Sequence, residues 1–225
     1  DYAEQINDSI LIGMSYQVFG NLKYNVELYH DAKIYYYKAL GIYLRHQKTT
    51  FAAGIYNNLG IINNILASDT SSFEFYRKAV AINIQEGNHL KLGINYLNIG
   101  VDYLDIGELN KAKKYLELSL EVAQRHQFVR LYPWIYNNLS NYYSLVEDYK
   151  TSYDYANKAL LLAREQSNRL QELAALQGLE KVSVSKADIG QAYHYSKMII
   201  SLTDSINKNN RLRELDIMET RFKFE

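Results

Sequence analysis

A spacing of 40 residues recurs along the whole chain and limits its possible folds more than any other feature. The spacing relates four short motifs that end in a small residue: Phe19-Gly20, Leu59-Gly60, Ile99-Gly100 and Leu139-Ser140. The same step relates the aromatic residues Tyr35, Phe75, Tyr115, Tyr155 and Tyr195. Self-similarity of this length is typical of a repeat array, in which each unit buries its apolar face against the next.

Each repeat is predicted to form two amphipathic helices separated by a short break. In the second repeat, the cap residues Thr49-Thr50 begin a helix that runs to about Leu66. A second helix then runs from about Ser72 to Glu86, where Gly87-Asn88 provides a C-cap. Pro133 lies in the first turn of its helix, where a missing N–H costs little.

The predicted boundaries follow the repeat spacing. The array occupies residues 1–207, and the C-terminal helix occupies residues 208–225. The repeats are assigned as about 9–48, 49–88, 89–128, 129–168 and 169–207. The last segment is interpreted as a capping helix or as a connector to a further domain, because Leu212, Leu215, Met218 and Phe222 recur at helical spacing.

The recurring glycines predict close helix packing. A glycine within a helix costs about 1 kcal/mol relative to alanine, so its recurrence implies a compensating contact. We expect the second helix of each hairpin to approach at Gly20, Gly60 and Gly100. The small residues Ala32, Ser72, Ala112 and Ser152 are expected to provide the matching surface.

The order of these residues resembles the tetratricopeptide repeat. In the third repeat the matching residues are Tyr96, Ile99, Gly100, Tyr103, Ala112 and Leu116. The resemblance implies an all-α fold, an α-α superhelix (solenoid) of about five helical hairpins plus a C-terminal helix. The period here is 40 residues, whereas the usual one is about 34. The longer repeat resembles those of kinesin light chains and bacterial signalling regulators. The fifth repeat departs further, with Leu176 and Glu180 at the Tyr and Gly positions.

Composition and motifs argue against several classes of protein. Lys plus Arg and Asp plus Glu number 25 each, so the chain lacks the basic excess typical of nucleic-acid binders. It has no cysteine, no apolar run of membrane-spanning length and no signal-peptide pattern at its start. The five histidines do not form a metal-ligand or catalytic motif. We therefore expect no catalytic residues, metal or cofactor in these residues.

The candidate binding residues lie on the first helix of each hairpin, which lines the concave side of such arrays. Asn and Gln recur there, and each amide offers a donor and an acceptor to the backbone of an extended peptide. Leu97, Val101 and Trp134 are expected to add an apolar anchor. The full candidate groove consists of Gln17, Asn21, Asn57, Asn64, Leu97, Val101, Trp134, Asn137, Asn141 and Gln177.

A packing role for the same residues remains an alternative. Asn58, Asn98 and Asn138 form a further register that adjoins the Leu-Gly packing motif. These amides can bridge neighbouring helices, and the apolar members can belong to the core. If Asn137 and Asn141 contact ligand only, replacing both with Ala should weaken binding and leave thermal stability nearly unchanged.

The resemblance implies a non-catalytic module that binds a protein or peptide. The long repeats and the ending TDSINKNNRLRELDIMETRFKFE are similar to sensor regions of bacterial histidine kinases and transcription regulators. The alternatives are a free-standing scaffold and a cytoplasmic, peptide-responsive transcription regulator. The interpretation slightly favours a periplasmic location over a cytoplasmic one. It also allows a homodimer formed through the last helix. Neither nucleic acid nor a membrane is an expected partner of this region.

Overall fold

The chain folds into helices throughout the part that can be described. In this computed structural model, the description covers the backbone of residues 2–67 and 70–224, and the side chains of residues 8–67, 70–209, 211 and 212. Those ranges contain α-helices and one short 3₁₀ turn, and they contain no strand. The predicted all-α fold of helical hairpins is confirmed. The helices divide into two compact units, residues 1–128 and 129–225.

The first unit contains three consecutive helical hairpins. Its helices are α1 (Tyr2–Asn25), α2 (Tyr29–Arg45), α3 (Thr49–Ala67), α4 (Ser72–Gln85), α5 (His89–Asp105) and α6 (Leu109–Arg125). Each helix packs against the next one in the chain. The core between α2 and α3 includes Tyr36, Tyr43, Ile55, Leu59 and Ile62, which are almost completely buried.

The second unit begins with a 3₁₀ turn at Val129–Leu131 and continues as two further hairpins. Its helices are α7 (Tyr132–Leu145), α8 (Tyr149–Glu165), α9 (Arg169–Ser185) and α10 (Ile189–Phe224). Here α7 contacts α9 as well as α8, and α10 packs on α9. The core includes Ala156, Ala159, Leu176 and Leu179, with Met198 and Leu202 of α10 packed against it.

Helix α10 joins two segments that the sequence analysis separated. It is continuous from Ile189 to Phe224, so the second helix of the fifth repeat and residues 208–224 of the expected last helix are parts of one helix. Of the residues expected to form the amphipathic face of its end, Leu212 has a described side chain and is exposed. Leu215, Met218 and Phe222 lie outside the described side chains. The role of 208–225 as a cap or connector stays a prediction.

The helices end in the same way at successive turns. A residue with positive φ follows the helix, and the next N–H bonds to a carbonyl five residues back, as from Asn88 to Asn83 (2.9 Å). Gly87 and Gly107 occupy the positive-φ position at +63° and +77°. Glu147, Ser167 and Ala187 adopt it as well in the second unit. The predicted C-cap at Gly87-Asn88 is confirmed.

The recurring glycines lie where two helices touch. A Cβ atom added at Gly60 would come within 2.5 Å of the Tyr76 ring, and one at Gly100 would come within 2.8 Å of Leu116. Gly20 meets Tyr36 in the same way. The predicted close approach is therefore found, but the contacting residue lies four positions after the expected small one. The reason is that the large side chain four residues later, one helical turn on, fills the space that the missing Cβ leaves.

Candidate functional site

In the first unit, the Asn and Gln side chains of the candidate groove form hydrogen bonds within the protein. The hydroxyl of Tyr43 donates to Gln17 Oε1 (2.9 Å), and the hydroxyl of Tyr36 donates to Asn21 Oδ1 (2.8 Å). Asn64 Nδ2 donates to Asp105 Oδ2 (2.8 Å). These bonds tie the first helix of a hairpin to its neighbours, as the packing alternative describes.

Asn57 belongs to a network of asparagines that joins α3, α4 and α5. Its Oδ1 accepts from Asn95 Nδ2 and from Asn98 Nδ2, each at 2.8 Å. Asn83 Nδ2 donates in turn to Asn95 Oδ1 (2.7 Å). Because Asn83 and Asn95 are only 2% and 1% exposed, this pair has no access to a ligand.

We expect Asn95→Ala to lower the free energy of unfolding by about 1–3 kcal/mol, because it leaves the buried Asn83 amide without its partner. The double variant Asn83→Ala, Asn95→Ile removes both amides and inserts the Ile found one repeat away at Ile55 and Ile135. It should be more stable than Asn95→Ala. Urea titration followed by circular dichroism measures both values. A single variant as stable as the unmodified chain would show that the pair contributes nothing.

The predicted apolar anchor of the first unit contributes little surface. Leu97 is 6% exposed and lies in the core, and Val101 is half-buried. Leu104 is buried as well. Long helices cover these positions with neighbouring side chains, which leaves the first unit without an open apolar patch at this place.

The second unit brings four of the predicted residues around one groove. Trp134, Asn137 and Asn141 extend from α7, and Gln177 extends from α9. The groove has a volume of about 360 Å³. Trp134 is 42% exposed, and Asn141 and Gln177 are exposed. The structure brings these four residues together, and their contact with a ligand stays a prediction.

Asn137 has a packing role at the edge of the groove. Its Nδ2 donates to the Gln171 side chain (2.9 Å) and to the Gln171 carbonyl (3.1 Å), which links α7 to α9. Gln171 is buried, so we now expect Asn137→Ala to cost stability. Asn141 differs, since it is exposed and its Oδ1 only meets Lys181 Nζ at 3.5 Å. Binding tests therefore belong on Asn141, Gln177 and Trp134.

The floor of the groove contains a buried hydroxyl without a partner. Ser144 is 9% exposed, and its Oγ makes no hydrogen bond to any described residue. An unpaired buried polar group is costly, and a bound acceptor or donor would relieve that cost. Gly178 lies on the opposite side of the groove, where an added Cβ atom would be 3.5 Å from Ser140 Oγ. The lack of a side chain at Gly178 therefore keeps the floor of the groove open.

The groove favours a neutral or anionic occupant. Among the described lining residues, Lys181 is the charged one, and the rest of the polar lining consists of amides and hydroxyls. Amides bind peptide N–H and C=O groups in either direction. The exposed indole of Trp134 offers an apolar surface and an N–H donor at one end.

The candidate groove residues from the sequence did not include Ser144 or Gln171, and Asn138 was grouped with the register that adjoins the packing motif. Asn138 lines the groove, and its Nδ2 bonds to the Trp134 carbonyl (2.9 Å). Nothing in the sequence indicates that the Ser144 hydroxyl is unpaired. Gln171 lies one turn before Ala174 and Ala175, and its partner Asn137 is recognisable only from the helix contact.

A buried carboxyl in the first unit resembles a catalytic group but is enclosed. Asp102 is 3% exposed and occupies a position that is Ile62 and Val182 in other repeats. Burial raises the pKa of Asp102 to about 7, and the hydroxyls of Ser72 and Tyr76 offset part of this rise. Because no substrate reaches the group, we interpret it as a structural feature of the first unit.

The histidines form one pair, and its rings are stacked. The ring centroids of His89 and His126 are 4.0 Å apart with an interplanar angle of 15°. Stacked rings do not direct their nitrogens at a common point. Within the described ranges no group of three His, Cys, Asp or Glu residues could hold a metal ion.

In the same described ranges, no helix is both long enough and apolar enough to cross a membrane.

Comparison with known proteins identifies the repeat. The tetratricopeptide repeat family matches residues 51–125, that is, the second repeat and most of the third. Among curated protein sequences none matches the chain. The resemblance stated from the residues is therefore supported independently within the first unit.

Solved structures share the fold over most of the chain. BtubC from P. vanneervenii is 19% identical, with a TM-score of 0.72 over 91% of this chain and 89% of that one. Aspartyl phosphate phosphatase F from Bacillus subtilis is 13% identical, with a TM-score of 0.76 over 92% of this chain and 54% of that one. A signal transduction ATPase with a tetratricopeptide repeat sensor, from Pyrococcus horikoshii, is 18% identical, with a TM-score of 0.72 over 88% and 31%. This chain thus spans about half of the phosphatase and about a third of the ATPase. The chain therefore contains tetratricopeptide repeats at residues 51–125, within an all-α fold of helical hairpins that it shares with solved structures over most of its length.

Proposed function

We propose that this chain is a non-catalytic module that binds an extended peptide segment of a partner protein in the groove between α7 and α9. We further propose that it is the sensor or regulatory region of a bacterial signalling protein. The peptide backbone pairs with Asn141 and Gln177, and an apolar or aromatic side chain of the peptide packs on Trp134. Lys181 receives a carbonyl or carboxylate.

The observation that carries the proposal is the meeting of exposed and unpaired groups in one groove. Exposed amides on two helices face an exposed indole, and the Ser144 hydroxyl below them has no partner among the described residues. The corresponding amides in the first unit are engaged with their own neighbours. That contrast favours the second unit as the place of ligand contact.

A displayed library of random peptides provides a test without a known ligand. Peptides selected on the unmodified chain are synthesised with a fluorescent label, and their affinities are measured by anisotropy. We expect Trp134→Ala with Asn141→Ala to weaken binding at least about tenfold, which corresponds to about 1.4 kcal/mol and is typical of truncated anchors. The unfolding midpoint should stay close to that of the unmodified chain, because both side chains are exposed.

The matched control replaces an exposed aromatic residue and an exposed asparagine outside the groove. Tyr37 is 46% exposed on α2, and Asn110 is exposed on α6. Tyr37→Ala with Asn110→Ala should bind the selected peptides as the unmodified chain does. Equal loss in both double variants, or no loss in the groove variant, would contradict the proposed site.

The signalling role has a separate test, the intact mass and terminal sequence of the native gene product. The ending after about Ser205 resembles the connector of bacterial sensors, and one structural neighbour carries tetratricopeptide repeats named as its sensor. An additional apolar segment of about 20 residues with a kinase or DNA-binding region would support a periplasmic or cytoplasmic sensor. A native chain that ends at Glu225 would favour the scaffold alternative.

A further inference from the structure

The second unit has another groove, separate from the one between α7 and α9. It lies where the end of α8, the first two turns of α9 and one face of α10 meet, and its volume is about 720 Å³. The face of α10 contributes residues at helical spacing: His194, Lys197, Met198, Ser201, Leu202 and Ser205. This surface is outside every prediction made from the sequence.

The rim of this groove is basic. Arg164, Arg169 and Lys197 lie on it, whereas Glu172 is the acidic residue among the described lining. Glu172 is already paired, because its Oε1 accepts from Arg164 Nε at 2.8 Å. Arg169 donates to the hydroxyl of Ser205, and Lys197 Nζ lies 4.9 Å from the centroid of the Tyr193 ring. Two cations therefore stay without an acidic partner in the groove.

The floor of the groove is apolar. Leu176 is 1% exposed, and Met198 and Leu202 are partly buried against the same core. An occupant that fills this volume can therefore bury an apolar side chain between α9 and α10. A methionine at such a place adapts to the shape of what it contacts.

The repeat pattern does not account for the basic residues. The positions 40 residues before Arg164, Arg169 and Lys197 are Gln124, Val129 and Asn157, and the position before His194 is Asp154. With histidine neutral, the formal charge of the four earlier positions is −1, from Asp154. The formal charge of Arg164, Arg169, His194 and Lys197 is +3, from two arginines and a lysine. Hairpins pack against each other with either set of residues at these positions. The added positive charge therefore changes the surface and leaves the packing between hairpins unaffected.

We propose that this groove binds an acidic, amphipathic peptide segment of a partner protein. Carboxylates of the segment pair with Arg169 and Lys197, and a leucine-sized side chain rests on Leu176, Met198 and Leu202. Charge complementarity selects this occupant, since a basic or neutral segment would leave the cations unpaired. The surface is distinct from the α7–α9 groove, so either site can fail in a test without the other.

The test uses a fluorescein-labelled peptide of about ten residues composed of glutamate and leucine. Two comparison peptides replace every glutamate with glutamine or every leucine with serine. We expect the glutamate-leucine peptide to bind most tightly and its affinity to fall as salt is raised, because rim charges are screened. Equal binding of the glutamine peptide would overturn the acidic occupant, and equal binding of the serine peptide would overturn the apolar anchor.

Substitutions locate the binding surface. Arg169→Gln with Lys197→Gln should weaken the glutamate-leucine peptide about tenfold at low salt, and Lys197→Gln alone should cause part of that loss. Lys158→Gln with Lys186→Gln is the matched control in the same unit, since it removes two exposed lysines that also lie over tyrosine rings. Thermal unfolding checks that each variant is folded. Unchanged affinity in both groove variants, or the same loss in the control, would overturn the proposal.

Discussion

Replacing Gly100 with Leu is expected to lower the free energy of unfolding of the first unit by about 1–3 kcal/mol, because it inserts a side chain where two helices touch. The first added atom would lie 2.8 Å from Leu116 Cδ2 and 3.2 Å from the Leu116 backbone nitrogen. Leu116 is completely buried, so it has no free space to move into. Urea unfolding followed by circular dichroism measures the loss.

Gly41→Leu is the matched control for this substitution. Gly41 lies within α2, and an added Cβ would meet nothing within 4 Å. Leucine has a better helix propensity than glycine, so the control should be unchanged or slightly stabilised. If Gly100→Leu unfolds at the same urea concentration as the unmodified chain, the packing of α5 on α6 described above is incorrect.

Replacing Asp102 with Asn is expected to stabilise the first unit at pH 8 and to have little effect near pH 4. In the unfolded chain the carboxyl has a pKa of about 3.9. In the folded chain, burial raises the pKa of Asp102 to about 7, so the folded state binds more protons between these values. The free energy of unfolding therefore falls as pH rises from about 4 to about 7, and it levels off above that. A shift of about three units corresponds to about 4 kcal/mol.

Asparagine has the shape of the protonated carboxyl and carries no charge at pH 8. It can still accept from the hydroxyl of Tyr76, which lies 3.5 Å from Asp102 Oδ1. Asp105 also faces this group and adds to the rise in its pKa. The control is Asp31→Asn, since Asp31 is exposed and pairs with Lys23 at 3.4 Å on the surface, where such pairs contribute little. Urea midpoints at pH 4, 6 and 8 that shift equally for both variants would contradict the account.

The fold was predictable because packing constraints repeat in the sequence. Gly60 and Gly100 mark the helix contacts, and Gly87-Asn88 marks a helix end. Each of these features depends on one or two residue types at a fixed position, and Gly60 and Gly100 occupy the same position in neighbouring repeats. The partner of each glycine was less predictable, because Ala112 and Leu116 lie one turn apart on the same face. The helix contact decides which of them meets Gly100.

The candidate site was predictable only in part. Trp134, Asn141 and Gln177 were predicted from the repeat register to share one face, and all three line the α7–α9 groove. The sequence does not show which amides pack between helices and which are exposed, since Asn57 and Asn141 are the same residue type and each lies on the first helix of its hairpin. Asn57 bonds to the amides of Asn95 and Asn98, whereas Asn141 is exposed. That difference depends on partners brought together by helix packing.

The basic groove on α10 could not be predicted at all. Its residues come from three helices, and the fifth repeat departs from the others at Leu176 and Glu180. That departure affects the packing positions of the repeat and gives no indication of a charged surface. The charges became interpretable only when Arg169 and Lys197 were found beside the same apolar floor.

The most direct test of the peptide-binding account uses the fluorescence of Trp134. The chain contains a single tryptophan, which is 42% exposed in the α7–α9 groove, so its emission reports on that groove alone. A selected peptide without tryptophan is titrated into the unmodified chain. The account predicts that the emission changes and saturates at the concentration at which the anisotropy of the labelled peptide saturates. Binding seen by anisotropy with no change in tryptophan emission would place the peptide elsewhere and contradict the account.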